Sequence, residues 1–507
     1  MADTLEVTVE SLYAQGKLVR AKAPVVEAGK ELTADQKALQ AMYETQRKSA
    51  VEMLDAFLTL LEALDAAAPA VKASDVVAVL GAAIDEQDTN VQAQVNAVMH
   101  TKEFQEVEAA WRDLRYLVFN TETSTMLKLR LLNATKSELH KDLEKAVEFD
   151  QSALFKKVYE EEYGTFGGEP YGLLVGGYTF GPSQQDMGLL TNLSNVAAMA
   201  HAPFIAAAEP AMFDLDSFEE LPNPRDLAKK FDGVDFIKWR SFRDTEDSRY
   251  VSLMLPRYLV RPPYGKDTVP VEGMVFEEDV DGRDHAKYLW GNPAFLMGQR
   301  ITDAFAKHKW LAAIRGVEGG GLVENMSLHT FSTDDGDKAL KCPTETSITD
   351  RRENELNNLG FIALVHKKGA DQAAFFGSHT ANKPKKYDTD FANANAELSA
   401  TMSYLLCASR FAHYIKSIMR DKVGSFMTRG QVSDYLNRWI SNYVLLDDSA
   451  PQAVKAKYPL REARVDVIEN KAKPGAYKAT VYLKPHFQLE ELTTSIRLVA
   501  ELPAPAA

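Results

Sequence analysis

From Thr33 to Val118 the apolar positions recur at three- and four-residue intervals. Leu39, Tyr43, Met53, Leu54, Phe57, Leu58, Leu61 and Leu64 share one helical face that ends before Pro69. Thr33-Ala-Asp-Gln36 at its head has the capping-box pattern. Ser74 is placed to cap a second helix through Val77, Leu80 and Ile84. Phe104, Val107, Trp111, Leu114 and Val118 form a third apolar stripe. Residues 1–32 show only weak periodicity.

Beyond Val118 the pattern mixes two periods. Leu127, Leu129 and Leu131 alternate, which predicts a strand. Ser137 to Phe149 reads as helix, and Tyr171-Gly-Leu-Leu-Val175 as a strand-like run. Gln185 to Ala200 is helical, Phe204 to Ala208 strand-like, and Pro224 to Phe231 a short helix. Val251, Leu253 and Leu255 alternate. Asn292-Pro293 predicts a cap followed by proline in the first helical position, opening a helix towards Trp310. Strands alternating with helices argue for an α/β layer.

A long helical pattern returns from Phe391 to Met427. Leu398, Met402, Leu405, Phe411, Ile415 and Ile418 form its apolar face. Arg410, His413, Lys416, Ser417 and Arg420 fall together on another face as a basic stripe. A helix near Gln431–Val444 follows. Arg464-Val-Asp-Val-Ile468 then alternates, Lys473-Pro-Gly475 is a turn, and Tyr477 to Lys484 and Ser495 to Val499 are β-rich. The expected fold class is therefore α/β in the mixed α+β sense. An N-terminal helical region (1–110) precedes a central α/β layer (111–370) and a C-terminal α+β part with edge strands (371–507).

Composition narrows the function classes. The chain has 507 residues, of which 45% are hydrophobic and 26% charged, values of a globular protein. The net charge of −14 argues against a general nucleic-acid binder. That charge is uneven: residues 1–100 hold 8 Lys/Arg against 15 Asp/Glu, while residues 401–507 hold 15 against 10. The C-terminal fifth is thus a basic island, and its basic stripe reads either as a solvated face or as a dock for an acidic surface. Two cysteines, Cys342 and Cys407, exclude a disulfide scaffold. Both are expected to be buried small hydrophobes. No signal peptide or span of about 20 apolar residues is evident, so a cytosolic protein is expected.

Candidate chemistry is sparse. The ten histidines include no pair at one-turn spacing, and no Cys-x-x-Cys occurs, so no metal is expected. Gly176-Gly-Tyr-Thr-Phe-Gly181 stands between a strand and a helix, the setting of a nucleotide loop, but matches no phosphate motif. A tight strand-to-helix turn is the plainer expectation. Gly319-Gly-Gly321 requires close backbone approach or positive φ. Thr333-Asp-Asp-Gly-Asp337 reads as a solvated turn rather than a calcium loop. No cofactor is expected. The terminal strands either close a sheet within the subunit or offer an edge for β-augmentation.

An ordered set of segments then points to one family. They are Tyr116-Leu-Val-Phe-Asn-Thr-Glu-Thr123, Glu161-Glu-Tyr-Gly-Thr165, Gly168-Glu-Pro-Tyr-Gly172 and Ala200-His-Ala-Pro-Phe-Ile-Ala206. Trp239-Arg-Ser-Phe-Arg243, Asp247-Ser-Arg-Tyr250, Tyr288-Leu-Trp-Gly-Asn292 and Arg315-Gly-Val-Glu-Gly-Gly-Gly321 follow. Pro343-Thr-Glu345, Thr349-Asp-Arg-Arg-Glu353, Arg410-Phe-Ala-His-Tyr414 and Arg420-Asp-Lys422 complete the set. Over roughly 110–450 the chain resembles the large subunit of the type VI secretion contractile sheath, the TssC/VipB family.

The resemblance implies a structural protein, not an enzyme, with a phage-tail-sheath-like C-terminal core. It implies a small partner, TssB (VipA), and a helical polymer of heterodimers around an Hcp tube. It also implies attachment to a baseplate, contraction that expels tube, spike and effectors, and disassembly by the ATPase ClpV. These events belong to the bacterial cytoplasm, with anchorage through the baseplate and membrane complex. Arg410, Lys416, Arg420 and Lys422 are the expected tube-facing residues. Val465, Val467, Tyr477, Val481, Leu483, Ile496 and Leu498 are the expected inter-subunit strand positions. The ClpV-docking helix would lie between Glu6 and Val19. The alternatives are an α/β enzyme with a phosphate turn at 176–181 and a one-chain phage-tail-type sheath.

Overall fold

The structure, a computed structural model, describes residues 73–271, 276–333, 335–423, 425, 427–469, 477–486 and 488. Several expectations lie outside these residues. They are the helix and capping box over 33–64, the 6–19 docking segment, the 473–475 turn, and the 495–499 strand with Ile496 and Leu498. Two compact units are present, Met1–Phe104 with Pro263–Val280 and Gln105–Pro262 with Asp281–Ala507.

In the first unit α1 (Ala73–Met99) is a 27-residue helix. Near its end the buried Asn96 side chain donates to the Glu277 carbonyl at 3.1 Å and accepts from the Asp279 amide at 3.0 Å. Buried Glu278 accepts from the Tyr264 amide at 2.8 Å. Segment 277–279 is therefore held by satisfied polar groups rather than by apolar packing.

The second unit is organised on a six-stranded mixed sheet. Its strands are β1 (Leu174–Phe180), β2 (Phe204–Ala208), β3 (Val251–Leu255), β4 (Leu322–Val323), β7 (Phe361–His366) and β8 (Ala373–Phe375). The spatial order is β1-β2-β3-β7-β8-β4. The first four are parallel, and β8 and β4 join antiparallel. Between β4 and β7 lies a separate hairpin of β5 (His329–Ser332) and β6 (Lys338–Lys341). Thr333 and Asp337 close its turn.

The sheet is buried on both faces, as parallel strands require. Phe204, Val251, Leu253, Phe361 and Ala363 point into one core with α4 (Gln184–Ala200) and Leu356 of α6 (Asp350–Asn358). Ile205, Met254, Ile362 and Leu364 point into the other with α5 (Pro293–His308). Helix α5 starts where Asn292-Pro293 predicts it, with the Asn292 side chain accepting from the Ala294 amide at 2.9 Å. No strand forms over 127–131, and α3 occupies Lys136–Lys145. Among the described residues no helix is long and apolar enough to cross a membrane.

The sequence pattern misplaces the face of α2 (Lys102–Phe119). An apolar helical stripe normally meets a core. Here Phe104, Val107, Trp111 and Val118 are exposed, and Ala109, Asp113 and Leu117 are buried instead. Asp113 explains the choice. Its carboxylate accepts from the Tyr258 hydroxyl at 2.6 Å and from the Asn292 amide at 2.8 Å. A side chain at Gly291 would collide with it, at 2.4 Å from Asp113 Oδ1.

Burial pushes the Asp113 carboxyl up to about 7, against the lowering by Asn292 and Tyr258. In the unfolded chain it titrates near its ordinary value of about 4. Between those two values only the folded state holds the proton, so this group's contribution to stability falls as pH rises. Replacing it by Asn should remove that falling limb. Urea unfolding at pH 5 and pH 8 should show the stability difference, Asp113→Asn minus wild type, increasing with pH. Equal differences at both pH values would contradict the assignment.

The long helix expected over 391–427 is two helices, α7 (Asp390–Ser399) and α8 (Met402–Asp421). The break is imposed by segment 378–380. The Thr380 amide takes the Ala400 carbonyl at 2.8 Å, and the Met402 amide donates to Ser378 at 2.7 Å. Helix α8 then runs through two cores: Met402 and Leu406 pack in the sheet core with α5, while Cys407, Phe411 and Ile415 pack in a third core. That third core includes Trp310, Leu436 and Ile440 of α9 (Arg429–Ser441), and Val465 and Val467.

Candidate functional site: the C-terminal hairpin and the basic helix

The expected C-terminal strands form an antiparallel pair, β9 (Leu460–Glu469) and β10 (Tyr477–Pro485). Register places Val465 opposite Val481, Ala463 opposite Leu483, Val467 opposite Ala479 and Glu469 opposite Tyr477. One face, with Val465, Val467, Ala479, Val481 and Leu483, packs on the third core. Ile468 and Tyr482 are exposed on the other. There Lys484 pairs with Glu462 at 3.0 Å, and Arg464 lies over the Tyr482 ring. The alternation Arg464-Val-Asp-Val-Ile468 thus reports a sheet with one wet face.

The two edges of this ribbon differ. Asn437 of α9 sits at the outer edge of β9. Its side-chain amide donates to the Val465 carbonyl at 2.8 Å, and its oxygen accepts from the Val465 amide at 2.9 Å. A side-chain amide thereby imitates a neighbouring strand. Because Val465 turns both backbone groups to Asn437, Val465 and Val481 are a non-hydrogen-bonded pair of the ladder. The amides of Ala479, Val481 and Leu483 then point away from β9. Among the described residues no backbone partner meets them. Nothing in the sequence marks Asn437, which stands 28 positions before Val465.

The basic residues of α8 have partners within the chain. Arg410 Nη1 donates to the Pro170 carbonyl at 3.3 Å, and its guanidinium lies 4.9 Å from the Tyr414 ring centre. Lys416 Nζ lies 3.4 Å from the Tyr163 ring centre and 4.8 Å from that of Tyr159. Burial, reinforced by Arg420, pushes the Lys416 ammonium down to about 8. Arg420 donates to the Tyr163 and Thr165 carbonyls. These side chains hold segment 159–170, which includes the end of a π-helix over Lys156–Tyr163. Within the same patch His413 donates Nε2–H to the Ala200 carbonyl at 2.8 Å, and burial pushes it down to about 3. Lys422, at the C-cap of α8, lies over the Tyr435 ring at 4.8 Å.

The structure puts Gly176 to Phe180 in a strand and not in the expected turn. Residues 174–180 are strand β1. A side chain at Gly176 would stand 2.5 Å from the Phe204 ring, and one at Gly177 would stand 3.4 Å from that of Phe295. These glycines admit aromatic rings on the two sides of a packed strand. The start of α4 is already satisfied. Ser183 caps the Asp186 amide, the Asp186 carboxylate accepts from the Gly181 amide at 2.8 Å, and Lys136 pairs with Asp186 at 2.7 Å. Gly320 and Gly321 likewise allow close backbone approach: side chains there would meet the Ala313 and Phe375 carbonyls.

Comparison with known proteins accords with this architecture. Residues 81–382 match the family described as VipB: EvpB/VC_A0108, tail sheath N-terminal domain. Residues 391–502 match VipB_2: EvpB/VC_A0108, tail sheath gpW/gp25-like domain. The type VI secretion system sheath protein TssC1 of Pseudomonas aeruginosa is 50% identical over 420 residues, covering 82% of this chain and 84% of that protein. Two solved structures are more distant. A chain of the anti-feeding prophage baseplate is 11% identical with a TM-score of 0.36, over 62% of this chain and 66% of that one. A chain of an extracellular contractile injection system, the PVC sheath complex in its contracted state, is 11% identical with a TM-score of 0.33, over 61% and 68%. Two adjoining tail-sheath matches and a half-identical relative over most of both chains place the chain in the VipB/TssC family of type VI secretion sheath proteins.

Proposed function

We propose that this chain is the large structural subunit of a contractile sheath that polymerises with a small TssB-type partner in the bacterial cytoplasm. The observation that carries the reading is the pair of tail-sheath matches together with a relative named as a sheath protein. Heterodimers stack helically around an Hcp tube, start from a baseplate and contract to drive tube, spike and effectors outward. ClpV recycles the contracted form. Contraction energy is then held in bistable contacts between packed subunits. The division at about 110 and 370 into helical region, central layer and tube-proximal core belongs to the same proposal.

Within it, Val465, Val467, Tyr477, Val481 and Leu483 lie on strands that join strands of neighbouring subunits. Main-chain hydrogen bonds supply the affinity in that recognition mode. The outer edge of β10, which meets no backbone partner among the described residues, is what supports it. Arg410, Lys416, Arg420 and Lys422 face the tube. Charge reversal at the first three would also break their contacts with 159–170, so Lys422 is the cleaner probe.

Electron microscopy of the chain expressed alone and with its small partner tests the reading. Hollow tubules are expected only with the partner. Tubules from the chain alone would indicate a one-component sheath, and discrete particles in both samples would reject the sheath reading. Adding the tube protein to the same co-expression should give filled sheaths, reduced in number by Lys422→Glu. Equal filling would remove Lys422 from the tube-facing set.

A further inference from the structure

Cys342 follows directly on β6 and is only half-buried, unlike the small core residue expected from the sequence. Its Sγ lies 3.5 Å from Nδ1 of His366, the last residue of β7. The other ring nitrogen, Nε2, lies 2.8 Å from the Ala370 carbonyl. A carbonyl can only accept, so Nε2 carries the proton and Nδ1 turns its lone pair to the thiol. The Thr344 hydroxyl stands 3.2 Å from the same sulfur and donates its own proton to the Thr346 carbonyl at 2.9 Å. Moving the thiol proton to Nδ1 gives a thiolate beside an imidazolium whose second N–H is already held by Ala370.

Electrostatics agree with this geometry. Burial pushes the Cys342 thiol up, but hydrogen bonding with His366 and with Thr344, its backbone included, outweighs it and holds the thiol below its usual range. Burial likewise pushes His366 down, and its bonds with Cys342 and Ala370 carry it above its usual value. Cys407 is the internal contrast. It is 1% exposed in the third core, and burial alone pushes its thiol up to about 12.

We propose that Cys342 and His366 form an activated thiol that undergoes thiol–disulfide exchange with small disulfides. The Cys342 thiolate attacks one sulfur of the disulfide. A new sulfur–sulfur bond forms as the old one breaks. The second sulfur leaves as a thiolate and takes its proton from the imidazolium or from water. The incoming disulfide is reduced to one free thiol and one mixed disulfide, so no other oxidant is needed. The reaction would place a covalent group beside the β5–β6 hairpin.

The test uses the full chain copurified with its small partner, with dithiodipyridine as the disulfide probe. Released thiopyridone is followed by absorbance from acid to alkaline pH, so that the ordinary thiol range is spanned, and the labelled cysteine is assigned by peptide mass spectrometry. One thiol per native chain, Cys342, should react at neutral pH. The inflection of its pH–rate profile should lie below that of the same thiol in the guanidinium-unfolded chain. His366→Gln should move the inflection upward and slow the neutral-pH reaction about three- to tenfold. Cys342→Ser should leave no reactive thiol in the native chain. A native profile that coincides with the unfolded one, an inert Cys342, or a profile unmoved by His366→Gln would overturn the proposal. The wild-type comparison stands even if a variant fails to fold.

Discussion

Ala479→Pro is expected to leave a folded subunit that still binds the proposed small partner but forms no tubules. Ala479 lies opposite Val467, two positions from the Val465–Val481 pair, so its amide also points away from β9. Proline there removes one outward donor and leaves the ladder between β9 and β10 intact. The side chain replaced is small, so the third core loses no volume. Thr480→Pro supplies the contrast. Thr480 lies opposite Asp466 in the hydrogen-bonded half of the ladder, and its replacement should open the hairpin itself. Size-exclusion chromatography of the co-expressed pair reports binding, and microscopy reports assembly. Normal tubules from Ala479→Pro would show that the outer edge of β10 receives no strand at that position.

Phe411→Ala should have the largest effect on stability. The Phe411 ring is fully buried, stacks on Trp310 at 4.3 Å, and meets Tyr443 at 5.8 Å and Trp439 at 6.0 Å edge-on. Truncating a buried phenylalanine costs about 3–5 kcal/mol. The loss should be local, because Phe411 belongs to the third core and the central sheet has cores of its own. Hydrogen exchange should therefore rise in peptides covering 429–441 and 460–469 and stay near wild type in those covering 204–208 and 251–255. A uniform rise would mean that the cores unfold as one.

The sequence made periodic elements legible where one face is apolar and the chain supplies a cap. Helices α4, α5 and α9 and strands β2, β3, β9 and β10 appear within a few residues of their expected positions. Periodicity does not say which face turns inward, and α2 shows why. Its buried anchor is a carboxylate held by Tyr258 and Asn292, partners more than a hundred positions away. Gly176 and Gly177 read as a turn because their reason for being glycine, the rings of Phe204 and Phe295, comes from other elements. The break at Ala400 has the same origin in segment 378–380. Polar pairs were the least visible. Asn437 with Val465, and Cys342 with His366, exist only once strands and helices are packed.

Helix α8 threads two cores with 20 residues, a rod of about 30 Å. Its first turns are embedded beside the central sheet and its later turns beside the terminal ribbon. Tension applied to that ribbon by a neighbouring molecule would therefore load the sheet through a stiff axle rather than through a slack tether. In a shortening polymer such a body would move as a lever arm, and displacement would concentrate at the joints between subunits.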